Sequence, residues 1–200
     1  MLIIAFISQK GGVGKSTLAQ ALAVETTRQK IKTLLADCDP QQATSYEWNK
    51  ARKKVNCQVF NSAKEIWPLA SEYDLIIIDG PARTSQATKE IAEKADLVIQ
   101  PVGASRDDLI PAVKEFNALK QAKIPQQKLL FILNRVGSKA EEEIAQEYLQ
   151  ETGYSCLSFA LPEKISFRSV QNEGKAITEI SYKTLRKHTK QLIESILDYV

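Results

Sequence analysis

Cysteine is scarce in this chain: Cys38, Cys57 and Cys156 are the only three in 200 residues, and no Cys-x-x-Cys spacing is present. An odd set of this kind argues against a secreted disulfide framework and against a structural zinc site, so a reducing cytoplasm is the expected compartment. Histidine is scarcer still. His188 stands alone, which leaves little scope for imidazole-based metal or triad chemistry. No apolar run approaches the ~20 residues that span a bilayer. The apolar run at 2–7 has no cationic segment before it and is too short for a signal sequence, so it reads as a buried strand. Pro/Gly/Ser-rich linkers, internal repeats and low-complexity tracts are also lacking, and residues 1–200 are expected to form one domain. Neither sign of charge dominates: 27 Lys and Arg against 24 Asp and Glu leave +3, compatible with a nucleic-acid partner without requiring one.

What the chain does have is alternation. Short apolar runs predict strands at 2–8, 33–37, 57–60, 75–79, 97–102, 128–133 and 154–159. Helical patterns fall between them at 15–28, 42–53, 63–71, 85–94, 107–122 and 139–151, and a last pair follows at 165–173 and 179–199. Four of the strands are almost continuously apolar, as strands covered on both faces are. The expected fold is α/β, a mostly parallel twisted sheet with helices on both faces. Ligand sites in such sheets lie at the carboxyl ends of the strands.

The loop after the first strand reads Gln9-Lys10-Gly11-Gly12-Val13-Gly14-Lys15-Ser16-Thr17. Its glycines let successive N–H groups converge on one anion, and the helix that begins there adds its positive end. Lys15 is placed to reach the β and γ phosphates of a nucleotide, and the Ser16 hydroxyl to ligate Mg²⁺. A strict P-loop has glycine five residues before Gly14, where this chain has Gln9. The segment from Lys10 to Ser16 resembles the deviant Walker A motif of the ParA/MinD ATPases, with Gln9-Lys10 as the ParA form of its opening. That resemblance implies the P-loop NTPase fold, ATP and Mg²⁺ as cofactors, and a nucleotide held by Lys10, Gly11, Gly12, Val13, Gly14, Lys15, Ser16 and Thr17. It also implies that Lys10 acts in trans on the partner subunit's nucleotide in an ATP-sandwich homodimer, in the manner of an arginine finger. The alternative for Lys10 is a solvated loop cation.

Asp37-Cys38-Asp39-Pro40-Gln41 follows the second strand. Two carboxylates so spaced share one side of the chain, where they reach water or a metal, and equally form an N-cap pair for the next helix. The stretch resembles the ParA switch I motif, which implies that Asp39 positions the attacking water and Asp37 supports Mg²⁺ and the switch. Asp79, closing the apolar strand Leu75-Ile76-Ile77-Ile78, has Walker B character and would orient Mg²⁺. The family pattern Asp-x-Pro-Pro is replaced here by Asp79-Gly80-Pro81-Ala82-Arg83, and Gly80 is expected to loosen switch II. The resemblance assigns adenine contacts to Asn134, otherwise a turn former, and passes Leu161-Pro162-Glu163 over the base, with Pro162 against it. No guanine-reading Asn/Thr-Lys-x-Asp motif is present, so ATP is preferred to GTP.

Between Glu163 and Lys190 seven cations face three carboxylates, a local +4 that exceeds the whole-chain excess. Lys183, Arg186, Lys187 and Lys190 recur at helical intervals on one broad face, which is either a solvated face or a phosphate-neutralising stripe. The resemblance favours the second, non-specific DNA binding by an ATP-bound dimer, with Arg168 added to the set. The opposite face, with Leu185, Leu192, Ile193, Ile196 and Leu197, could instead serve a MinD-like membrane anchor, but Glu194 and Asp198 flank it. Docking on the sheet is expected, and no membrane partner. Taken together, the resemblance implies a short ParA-like ATPase without an N-terminal DNA-reading domain. It would be cytoplasmic and nucleoid-associated, and a ParB-like or other adaptor would stimulate its slow hydrolysis. Its work would be to segregate a plasmid, chromosome or protein cargo. A MinD-like membrane-cycling ATPase, an iron–sulfur carrier ATPase and a nucleotide-gated scaffold remain as alternatives.

Overall fold

A computed structural model describes residues 1–82 and 85–200. Seven strands form one row: β1 (Leu2–Phe6), β2 (Thr33–Asp37), β3 (Cys57–Val59), β4 (Leu75–Asp79), β5 (Leu97–Val102), β6 (Leu129–Val136) and β7 (Ser155–Cys156). Their order is β3-β2-β4-β1-β5-β6-β7, every pairing is parallel, and β8 (Leu161–Pro162) pairs with β6 off this row. The helices are α1 (Lys15–Arg28), α2 (Thr44–Arg52), α3 (Ser85–Lys94), α4 (Arg106–Gln121), α5 (Lys139–Glu151), α6 (Ile165–Asn172) and α7 (Lys183–Leu197). This is the doubly covered parallel sheet that the alternating pattern predicts.

Strand alternation divides the core into two layers. Ile3 and Ala5 of β1 join α3, α4 and α5, through Ile91, Phe116 and Leu149 among others. Ile4 and Phe6 point the other way, to α1, α2 and α7, through Leu18, Leu22, Trp48 and Ile193. Each fully buried side chain of this size contributes roughly 1.5–3 kcal/mol, so the two layers hold β1 in the centre of the sheet. Around β1 the chain turns to strands on either side, and the loop leaving it therefore opens into the crevice above the sheet.

Several boundaries differ from the sequence expectation for local reasons. The helix expected at 63–71 is instead two 3₁₀ turns, Ala63–Glu65 and Trp67–Glu72, the second with Pro68 near its start. Proline removes one backbone donor and the stretch is too short to offset that loss with α-helical bonds. The strand expected at 154–159 contracts to Ser155–Cys156, although Leu157 N–H still reaches the Phe131 carbonyl at 2.9 Å. β8 escapes sequence reading because two residues ending in proline make no periodic pattern; it pairs through Asn134 and Val136, with a register shift between them. α2 starts at Thr44 rather than at 42, because Ala43 takes a left-handed conformation and its N–H binds the Asp39 carbonyl.

Candidate nucleotide site

β1 ends against a loop whose backbone is built to face an anion. Gly12 and Gly14 have φ of 73° and 103°, the region where glycine is favoured. Gly14 is the N-cap of α1, with no side-chain cap and no acidic residue in the first turn. The first intrahelical bond is Leu18 N–H to the Gly14 carbonyl, so the N–H groups of Lys15, Ser16 and Thr17 are left without helical partners. Gly14 is also a close-approach position, because a Cβ there would lie 2.0 Å from Asn134 Nδ2. Lys15 is buried, and its ammonium has one weak hydrogen bond, 3.4 Å to the Ser8 carbonyl. Burial pulls its pKa down, opposed by the carboxylates of Asp79, Asp39 and Glu115. A buried cation so sparsely partnered fits a phosphate.

Opposite Lys15 stands Asp79 at the end of β4. Its Oδ2 accepts a 2.7 Å hydrogen bond from the Ser45 hydroxyl, while Oδ1 is buried with no hydrogen-bond partner. Burial and the nearby Asp37 push its carboxyl up to about 6, against the Ser16 and Ser45 hydroxyls and the Lys15 ammonium. An orphaned carboxylate oxygen beside a serine hydroxyl suits a divalent cation, directly or through its water shell. Ser16, Thr17, Asp39, Asp79 and the three P-loop glycines line one cleft of about 240 Å³ with Lys15. Asp37 is not among the residues lining it. Its Oδ1 accepts from Asp39 N–H and its Oδ2 from Ser45 and Tyr46 N–H, so it pins the switch loop and caps α2.

Gly80 does not loosen this corner. Its N–H binds the Phe6 carbonyl at 2.9 Å, and a Cβ would lie 2.7 Å from that oxygen, so glycine here allows strand-end contact. Arg83, the last residue of the switch II stretch, lies outside the described residues. Lys10 is half-exposed and forms an ion pair with Asp108 at the start of α4. Asn134 is buried; Nδ2 donates to the Val13 carbonyl and Oδ1 accepts from Arg135 N–H at 2.9 Å. With Pro162, Gly14 and Thr17 it lines a smaller cleft of about 50 Å³ joined to the first at the P-loop. Asn134 thus lies beside the P-loop, with its amide committed to the backbone.

Residues 4–177 match the family described as the CobQ/CobB/MinD/ParA nucleotide binding domain. The chain belongs to that family. Over 159 residues it is 29% identical to the maintenance of carboxysome distribution protein A of Gloeobacter kilaueensis, covering 76% of this chain and 72% of that protein. Two solved structures share the fold. An ATP complex of McdA from Cyanothece superposes with a TM-score of 0.75 at 19% identity, over 98% of this chain and 96% of that one. The MinD cell division protein of Aquifex aeolicus gives 0.76 at 17% identity, over 99% and 98%.

The basic set of this ParA/MinD-family chain is distributed over two helices. Lys183, Arg186, Lys187 and Lys190 lie on α7, where Lys183 and Lys187 are exposed and Lys190 sits 3.8 Å from Glu25. Arg168 belongs to α6, lines the smaller cleft beside Asn134 and pairs with Glu163 at 2.5 Å. The apolar face of α7 packs on the sheet, with Leu192, Ile193 and Ile196 at zero exposure. Among the described residues no helix is long and apolar enough to cross a membrane.

Three site residues escape motif reading. Ser45 ties α2 to Asp79, and a signal exists only in hindsight, as a serine in the first turn after the Asp37–Asp39 pair. Arg135 has a left-handed φ of 59° and lines both clefts, with Glu163 at 3.8 Å. Glu115 is buried on α4, and its Oε2 accepts from Gln100 at 2.7 Å and from Gln9 N–H at 3.1 Å. A carboxylate on the face shared with Ala112, Phe116 and Leu119 was its signal. It grips the P-loop at the position where the strict motif has glycine.

Proposed function

We propose that this chain is an ATPase that forms an ATP- and Mg²⁺-dependent sandwich homodimer, binds DNA without sequence preference, and so segregates or positions a cargo. The observation that carries this reading is the pairing across one cleft of a sparsely bonded cation, the Lys15 ammonium, with an orphaned carboxylate oxygen, Asp79 Oδ1. The orphaned N–H groups of α1 and Lys15 would hold the phosphates, and Ser16 and Asp79 the Mg²⁺, which neutralises charge on the transferring group. Asp39, half-exposed in the cleft, would position the attacking water. Asp37 would hold the loop that carries Asp39. Lys10 would leave Asp108 to reach the partner's phosphates. Asn134 and Pro162 would flank the base.

The α7 stripe supports DNA as the track, because exposed lysines at helical spacing neutralise phosphates without reading bases. Arg168 at the base cleft would link the nucleotide side to that surface. The likeness to a carboxysome-distribution protein favours positioning as the task, with a plasmid, a chromosome or a protein assembly as cargo and an adaptor, ParB-like or other, stimulating slow hydrolysis. The chain would then be cytoplasmic and nucleoid-associated. A MinD-like membrane cycle has less support, since the apolar face of α7 is already used by the sheet. The test is size-exclusion chromatography with light scattering in Mg-ATP. The wild type should dimerise, Lys15→Ala should lose nucleotide binding and remain monomeric, and Asp39→Ala should dimerise and persist on DNA. A wild type that stays monomeric in Mg-ATP refutes the sandwich.

A further inference from the structure

A cavity of about 650 Å³ is separate from the phosphate cleft, and of the residues assigned to the nucleotide only Pro162 lines it. It lies between the N-terminal ends of α5 and α7 and meets the base cleft at Pro162 and Lys164, which line both. Its size falls within the ~300–1,000 Å³ of ligand pockets. Val136, Ala160, Pro162 and Leu185 supply apolar wall. His188 is fixed at its side by a 2.7 Å contact between Nε2 and the Ala160 carbonyl.

Charge around this cavity is mostly positive. Lys139, Lys164 and Lys183 line it, and the one carboxylate there, Glu142, is already bonded to Lys139 at 3.1 Å. Lys164 and Lys183 have no ion pair among the described residues. α7 adds its uncapped first turn, with no acidic residue in it. Tyr182, 67% exposed, adds to the apolar wall, and Ile165, next to Lys164, is 82% exposed.

We infer that this cavity docks an acidic peptide segment of a partner protein, one that inserts a bulky apolar side chain between carboxylates matched to Lys164 and Lys183. DNA offers the negative charge but no apolar group to fill the cavity. Because Pro162 and Lys164 also border the base cleft, the docked segment would be sensitive to bound nucleotide.

The test uses the full chain and a fluorescein-labelled twelve-residue peptide in which Asp and Glu flank a Leu-Trp pair, followed by anisotropy with and without Mg-ATP. Two matched peptides replace the acids by Lys or the Leu-Trp by Ser-Ser. The expected result is saturable binding of the first peptide alone, weakened at least tenfold in Lys164→Glu/Lys183→Glu and changed at least threefold by nucleotide. Thr184→Trp, which fills the cavity without altering charge, should also weaken it at least tenfold. Circular dichroism confirms that each variant is folded. Equal binding of the Ser-Ser peptide, or an unaffected Thr184→Trp, overturns the cavity as the anchor. Binding of decanoate or of random duplex DNA at this surface with no peptide binding overturns the peptide assignment.

Discussion

Ser45→Ala isolates the least visible part of the site. Ser45 is fully buried in α2 and donates to Asp79 Oδ2 at 2.7 Å. Its backbone N–H is held independently by Asp37 Oδ2 at 2.9 Å, so α2 should stay in place when the hydroxyl is removed. The main loss is the hydrogen bond to a carboxylate that already has an orphaned oxygen, worth ~1.5–3 kcal/mol, and the weak 3.4 Å bond from Gln20 Nε2 to the same hydroxyl goes with it. In a domain of this size each kcal/mol moves the melting temperature by ~2–4 °C, so a fall of roughly 3–12 °C is expected. Urea denaturation without nucleotide should show a lower midpoint and an unchanged m-value. Ser45 does not line the nucleotide cleft, so ATP affinity should stay within about threefold. A stability change under ~0.5 kcal/mol would refute the view that Ser45 supports Asp79. So would a large loss of ATP affinity with stability intact.

Gly14→Ala should cost roughly 2–4 kcal/mol, combining backbone strain at φ 103° with displacement of Asn134 from the Val13 carbonyl. Equilibrium denaturation and nucleotide titration should both register it, and wild-type values in both would contradict the packing described. Glu115 supplies a pH prediction. Burial raises its pKa in the folded chain, against the Gln9 N–H, Lys15 and Gln100 contacts. Above the ordinary carboxyl range the folded chain keeps a proton that the unfolded chain has released, so its contribution to stability falls as pH rises through the raised value. Glu115→Gln lacks that titration, and its stability relative to wild type should improve as pH rises above the ordinary carboxyl range. A difference that does not change with pH would contradict it.

The fold was legible because long apolar strands and well-marked helices leave few choices: α1 and β4 run over the residues expected. The P-loop was legible because its chemistry is local, with glycines, lysine and serine adjacent in sequence. What was not legible depends on contacts between distant segments. Asp37 reads as a metal-side carboxylate until Ser45 and Tyr46 are seen to occupy it. Gly80 reads as freedom until the Phe6 carbonyl is seen beside it. Arg168 joins the DNA-binding set only through the resemblance, and its place on α6 beside the Asn134 cleft is visible only in the fold. Glu115 reaches Gln9 across 106 positions of sequence, beyond any motif.

The most direct test of the proposed function is the affinity for random-sequence duplex DNA, measured with Mg-ATP and with Mg-ADP from about 50 to 200 mM salt. Binding should require ATP, ignore sequence, and weaken steeply with salt, with a shallower slope when Lys183 and Lys187 are changed to Ala. Binding that is indifferent to nucleotide or to salt, or no binding at all, would contradict it.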